Sequence, residues 1–281
     1  AFTAAFIFAN IINFGGMIAI AVLVGLAVLF VIRTHAIHKR RESEKEEIKK
    51  QREYDSTLSN RQNILLQCNR TVIGTLSSIA KIYHDIIEAV ANEDRHGLKK
   101  TGHEMNTLRK SAKEQKENLY YTVNKLEEHD IDSGHNYVQV VDYLRELTRS
   151  IRAIYDQSYT HVDNNHKTFT GEQREELINL SNKLSDYFFE ISSNVKNHNH
   201  KDLTTASEQN EELVELVESL RKYQIKRIKK QKDSTKRSML YLSILFETKS
   251  MLKDTWHILK IQQRFIESVD YDKLLADNNN Y

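Results

Sequence analysis

Proline is absent from all 281 residues. Average usage is about 5 %, and proline breaks helix interiors and marks sheet edges and tight turns. Its absence fits long helices joined by short polar connections. Glycine is scarce too, at 8 residues. The single cysteine, Cys68, excludes an internal disulfide. It stands among Ile64, Leu65, Leu66 and Val72, which is the setting of a packed core thiol rather than of a nucleophile. Neither sign of charge prevails: the net charge is +2, which gives no general affinity for nucleic acid. There is no glycine-rich phosphate loop, no Ser–His–Asp order and no CxxC, so nothing in the pattern points to an enzyme.

Charge is missing altogether between Phe14 and Ile32. A helix needs about 20 apolar residues to cross the hydrocarbon core, and inside lipid only a helix satisfies its own backbone without a closed barrel. Residues 1–12 form a second apolar run, and Asn13, Gly15 and Gly16 suit a turn between the two. Residues 1–42 therefore read as a transmembrane helical hairpin whose first helix is truncated, followed by a basic juxtamembrane segment. Arg33, Lys39, Arg40 and Arg41 put the C-terminal side in the cytoplasm by the positive-inside rule. A signal peptide does not fit, because the basic cluster follows the apolar run instead of preceding it. The expectation is a piece of a larger, multi-pass protein of the inner membrane.

What fills the rest, residues 43–281, is helical periodicity with 28 % charged side chains overall. Ile64, Val72, Leu76, Ile79, Tyr83, Ile86 and Val90 trace one face of a first helix, closed by the polar stretch from Asn92 to Gly97. Leu98, Met105, Leu108, Leu119, Val123 and Leu126 mark a second. Asp132, Ser133 and Gly134 read as a turn, and Tyr137, Val141, Leu144, Leu147, Ile151 and Ile154 as a third helix. A polar linker spans His161 to His166. Thr170 and Gln173 have capping-box spacing ahead of a fourth helix with Leu177, Leu180, Leu184, Phe188 and Ile191. Asn197 to Asp202 closes it, Leu213, Leu216, Val217, Leu220 and Ile228 mark a fifth, and a sixth starts near Ser234 with Leu242, Leu245, Leu252, Trp256 and Leu259. The order repeats after about a hundred residues, which suggests two three-helix units by internal duplication, about 43–160 and 167–270. The fold expected is all-α.

Two further features carry charge chemistry. His161, His166, His198 and His200 lie in polar stretches without the i, i+4 spacing of a zinc site, as surface linker histidines do. The strongest basic run, Arg221 to Arg237, offers Lys226, Arg227, Lys229 and Lys230 to an anion or to lipid headgroups. A solvated helix end whose cations offset the helix dipole is the plainer reading of the same residues.

The tandem three-helix pattern resembles the PhoU-like domain, a regulatory module of bacterial phosphate uptake. The stretches YVQVVDYLRELTRSI, HVDNNHK, LRKYQIKRIKK and SMLYLSILFETKSMLKDT, with the opening AFTAAFIFANIINFGG, look like the C-terminal part of bacterial inorganic phosphate transporters of the PiT family. The resemblance implies cation-coupled phosphate symport, with inorganic phosphate and a coupling cation bound by an upstream membrane domain. The family's glycine–alanine–asparagine–aspartate stretch is absent here, so no substrate-binding residue is expected in this chain. The apolar run adds the bilayer as an expected partner, a homodimer is a further candidate, and the charge balance leaves nucleic acid out. The PhoU resemblance brings a metal site into question, because PhoU proteins hold metal clusters through Glu/Asp-x-x-x-Asp motifs on their third helices. Glu146 and Glu247 match the first positions, but Ser150 and Met251 stand four residues on. Asp142 with Glu146, and Glu247 with Asp254, share helix faces, so these four are the candidate metal ligands. Solvated carboxylates with no cofactor are the competing reading. A membrane-anchored signalling scaffold, or the tail of a sodium–phosphate cotransporter of the other bacterial type, are the alternatives to the PiT reading.

Overall fold

The computed structural model describes Arg33 and residues 60–124, 126, 131–196, 203–230 and 233–267. The chain divides into two compact units, Ala1–Leu58 and Ser59–Tyr281. In the first, Arg33 is an exposed helical residue. The expected hairpin and Lys39, Arg40 and Arg41 lie outside the described residues, as do His198 and His200. Among the described residues no helix is long and apolar enough to cross a membrane.

The described part of the second unit is wholly helical: α1 (Asn60–Ala91), α2 (Arg95–Val123), α3 (Ile131–Asp163), α4 (Gly171–Lys196), α5 (Leu203–Lys229) and α6 (Thr235–Glu267). Each buries a stripe spaced three or four residues apart, as a 3.6-residue turn requires. On α1 the stripe is Ile64, Cys68, Val72, Leu76, Ile79, Tyr83, Ile86 and Val90. On α3 all six expected apolar residues, from Tyr137 to Ile154, are buried.

Consecutive helices run antiparallel, as short connections dictate. Polar contacts fix which ends meet. Arg95 at the start of α2 pairs with Asp163 at the end of α3. Arg227 near the end of α5 pairs with Glu176 near the start of α4, at 2.6 Å. The α1–α2, α3–α4 and α5–α6 connections therefore share one end, called here the far end. At the near end, where α1 begins, Thr122 donates to Gln67 at 3.1 Å, and Gln262 late in α6 donates to Asn69 at 3.2 Å.

The strongest packing crosses the middle of the sequence. α3 packs most extensively on α6 and α1 next on α4, while α2 packs on α1 and α3, and α5 on α4 and α6. First pairs with first and third with third, leaving α2 and α5 on the outside. One core results, and the tandem bundles expected from sequence are halves of it. Tyr83 Oη lies 2.8 Å from Thr248 Oγ1 across this core. Thr248 spends its own proton on the Ile244 carbonyl at 2.7 Å, so Tyr83 is the donor.

Without proline, and nearly without glycine, the chain turns by other means. Glu93 (φ 56°) and Asn165 (φ 49°) adopt the left-handed conformation that ends α1 and α3. Asp94 then caps α2 by accepting from Gly97 N at 2.9 Å. The expected turn at Asp132, Ser133 and Gly134 does not exist: all three lie in the first turn of α3. Ser133 and Gly134 are buried there. A Cβ on Gly134 would collide with Leu126, so this glycine grants close packing rather than a turn. Ile228 and Val123 are exposed, because each lies in the outward-facing last turns of an outer helix.

Asn69 and Gln262 are a buried polar pair joined by one hydrogen bond, with Asn69 Nδ2 and Gln262 Oε1 left without partners. A half-satisfied pair costs more than an apolar one of similar shape. Asn69→Leu alone is expected to lower stability by about 1–3 kcal/mol. The double variant Asn69→Leu/Gln262→Leu should recover the loss or exceed the parent. Urea denaturation of the single and double variants checks this.

Candidate functional site

Three places bring chemistry-bearing side chains together: a carboxylate face between α3 and α6, a polar hub at the far end, and the basic end of α5.

On the carboxylate face, antiparallel packing sets Glu146 opposite Asp254 and stacks Tyr143 on His257 with ring centroids 5.0 Å apart. The other two candidate ligands stand apart. Glu247 lies seven residues before Asp254, about 10 Å along α6 at 1.5 Å per residue. Asp142 lies one turn before Glu146 and turns to Arg145 at 3.2 Å. Glu146 itself meets Arg149 at 2.6 Å. Among the described residues no three His, Cys, Asp or Glu side chains gather as metal ligands. Ser150 and Met251, where the metal motif would continue, are buried. A hard cation needs several converging oxygens, and this face supplies a facing pair.

That pair has an electrostatic consequence. Burial first, and the Glu146 carboxylate second, push Asp254 up to about 6. Burial, with Lys253 and Lys260 beside it, holds His257 below the ordinary histidine value. Protonation of Asp254 relieves the face.

The hub is built around Asp233. Thr170 and Gln173 form the capping box expected from their spacing: Thr170 N donates to Gln173 Oε1 at 3.0 Å, and Gln173 N donates to Thr170 Oγ1 at 3.2 Å. Gln173 Nε2 then donates to Gln224 Oε1 at 2.9 Å and to Asp233 Oδ2 at 2.7 Å. Gln224 Nε2 donates to the same Asp233 oxygen at 2.5 Å and to Ser238 at 3.1 Å. Arg237 pairs with the other Asp233 oxygen and donates to the Thr168 carbonyl at 2.8 Å. The Asp233 side chain is 1 % exposed. Burial alone would raise its pKa. Hydrogen bonds from Gln224, Arg237, Ser238 and Gln173 outweigh that and hold it at about 2.

Arg227 belongs to the rim of this hub. It pairs with Glu176 at 2.6 Å and Glu172 at 3.0 Å, and its side chain is only 13 % exposed. Tyr241 donates to Glu176 at 2.5 Å beneath it. Arg227 is thus engaged inside the protein, unlike Lys226, Lys229 and Lys230, which are exposed. His161 also departs from expectation. It is buried on the last turn of α3, with Nε2 3.0 Å from the Lys167 carbonyl, and its ring stacks on Phe169. Burial keeps it below the ordinary histidine pKa, so it stays neutral with the Nε2 proton on that carbonyl. His166 meets it edge-on at 5.3 Å.

Sequence reasoning passed over Gln173, Gln224 and Asp233 as a set. A signal was present: Gln224 continues the stripe Val217, Leu220, where an apolar residue belongs. Cys68 is fully enclosed, and burial pushes its thiol up to about 12. Open grooves lie beside the outer helices. One of about 660 Å³ between α1 and α2 is lined by Thr71, Gly74, Thr75, Ser78 and Ser111. Another of about 270 Å³ lies between α4 and α5 around Tyr187 and Gln209.

No family model matches the chain, and no curated protein matches it. Among solved structures it is similar to the crystal structure of the phosphate transport system regulatory protein PhoU from Streptococcus pneumoniae. The TM-score is 0.58 at 12 % identity, covering 73 % of this chain and 97 % of that one. The chain therefore has a PhoU-like helical fold.

Two outcomes follow from the charges. Asp233 lies below its ordinary 3.8 when folded, so its contribution, about 2 kcal/mol, is present above pH ~4 and is lost as pH falls to ~2. Asp233→Ala should cost about 3 kcal/mol at neutral pH, with the gap to the parent narrowing over that acid range in denaturant titrations. Asp254 has the opposite sign, because its folded value is raised. Its cost is absent below the ordinary value and develops as pH rises through about 6. Asp254→Asn should raise neutral-pH stability by about 1 kcal/mol after solvent screening, an advantage that thermal melts should show vanishing towards pH 4.

Proposed function

We propose that this chain is the last membrane hairpin and the cytoplasmic regulatory domain of an inorganic phosphate transporter. The observation that carries the reading is a combination. A PhoU-like body, similar over nearly the full length of a phosphate transport system regulatory protein, is continuous in one chain with the charge-free run Phe14–Ile32 and its basic flank. In this reading the hairpin within residues 1–42 spans the inner membrane, and its basic juxtamembrane end, with Arg33, Lys39, Arg40 and Arg41, lies on the cytoplasmic side. Phosphate and its coupling cation are bound upstream, and the six helices act as a gate on that pathway.

The packing of equivalent helices, α1 on α4 and α3 on α6, supports an origin by duplication of a three-helix unit. It also makes the body a stiff lever. A change at the carboxylate face or the far end moves a shared core rather than one half.

Phosphate-uptake assays on cells carrying the full-length gene product, with and without residues 59–281, test this reading. Transport should persist in the shortened protein while its response to external phosphate is lost. Absence of phosphate transport by the intact protein would end it.

A further inference from the structure

The last turns of α5 carry an unusual surface. Tyr223, Ile225 and Ile228 are 53 %, 57 % and 42 % exposed. Between them Lys226, Lys229 and Lys230 are exposed, and among the described residues none of the three has an acidic partner. Lys226 instead lies over the Tyr223 ring, 5.5 Å from its centroid. At 100° per residue the three lysines occupy the centre of the outward face. Tyr223 flanks them on one side, and Ile225 and Ile228 on the other.

The inner face of the same turns is spoken for. Gln224 is locked to Gln173, Asp233 and Ser238, and Arg227 to Glu172 and Glu176. The hub thus clamps this helix end and fixes which side chains face out. Among the described residues of these last turns, Arg227 is withdrawn to its carboxylates, and Lys226, Lys229 and Lys230 are left in water.

We propose that this end of α5 docks peripherally on an anionic lipid surface. The lysines meet headgroup phosphates, while Tyr223, Ile225 and Ile228 enter the interfacial layer, where aromatic and apolar side chains leave water without losing contact with headgroups. The charge lies on a convex helix face, not in a pocket. A small free anion would neutralise lysines but leave three large apolar side chains in water, whereas an anionic bilayer takes up both. The proposal does not rest on the phosphate reading.

The test uses the full chain carrying a bimane label at Lys222→Cys, on the same outward face one turn before the patch. Cys68, fully buried with its thiol raised, stays unlabelled. Mixed with or reconstituted into vesicles of phosphatidylcholine containing phosphatidylglycerol, the label should shift to the blue and be quenched by nitroxide lipids. It should not respond in phosphatidylcholine alone, and high salt should reverse the response. Lys226→Glu/Lys229→Glu/Lys230→Glu should weaken the response by about a hundredfold in anionic lipid, with the helical fold retained by circular dichroism, because the variant gives up only the Lys226 contact with the Tyr223 ring and the favourable charge at the helix C-terminus. A label at the exposed Lys113→Cys on α2 reports contact unrelated to the patch and should stay silent. No response at position 222, or an equal response with and without anionic lipid, would overturn the proposal. Failure here leaves the uptake assay untouched, so the two readings fall separately.

Discussion

Two helix pairings that cross the midpoint of the sequence, α3 on α6 and α1 on α4, hold the body of this protein together. Each of these helices has an apolar face too broad for its own three-helix half to cover. On α3 buried side chains run from Tyr137 through Val140, Val141, Leu144, Leu147 and Ile151 to Ile154. Burying one such side chain contributes about 1.5–3 kcal/mol. The ion pairs Arg145–Asp142 and Arg149–Glu146, both between exposed side chains, contribute a few tenths each. Packing decides the fold, and the surface ion pairs add little to it.

The far end follows from that core. Three connections converge there, and a chain without proline and with few glycines must build them from polar side chains. A buried carboxylate, Asp233, draws donors from α4, α5 and α6. The arrangement is rigid because each member has its partner, and removing one leaves the others buried and unpaired. Its consequence is positional: it turns Arg227 inward and leaves the neighbouring lysines outward.

Helix number, order and most buried stripes were legible in the sequence, because a period of 3.6 shows wherever one face is apolar. The Thr170–Gln173 box was legible too, since its two hydrogen bonds are local. The misreadings share a cause. Gly134 serves a tight contact with Leu126, and glycine signals either a turn or a close approach without saying which. His161 looked like a linker residue until the Lys167 carbonyl and Phe169 enclosed it. Arg227 looked like its basic neighbours until Glu172 and Glu176, more than fifty positions earlier, came into reach. The facing of Glu146 and Asp254 likewise depends on the register between α3 and α6, which no local pattern encodes.

If one shared core is the correct description, neither half of the body is a domain by itself. Calorimetry on residues 59–281 reads this directly. One transition is expected, with the calorimetric enthalpy equal to the van't Hoff value. Two separable transitions, one for each three-helix half, would contradict it.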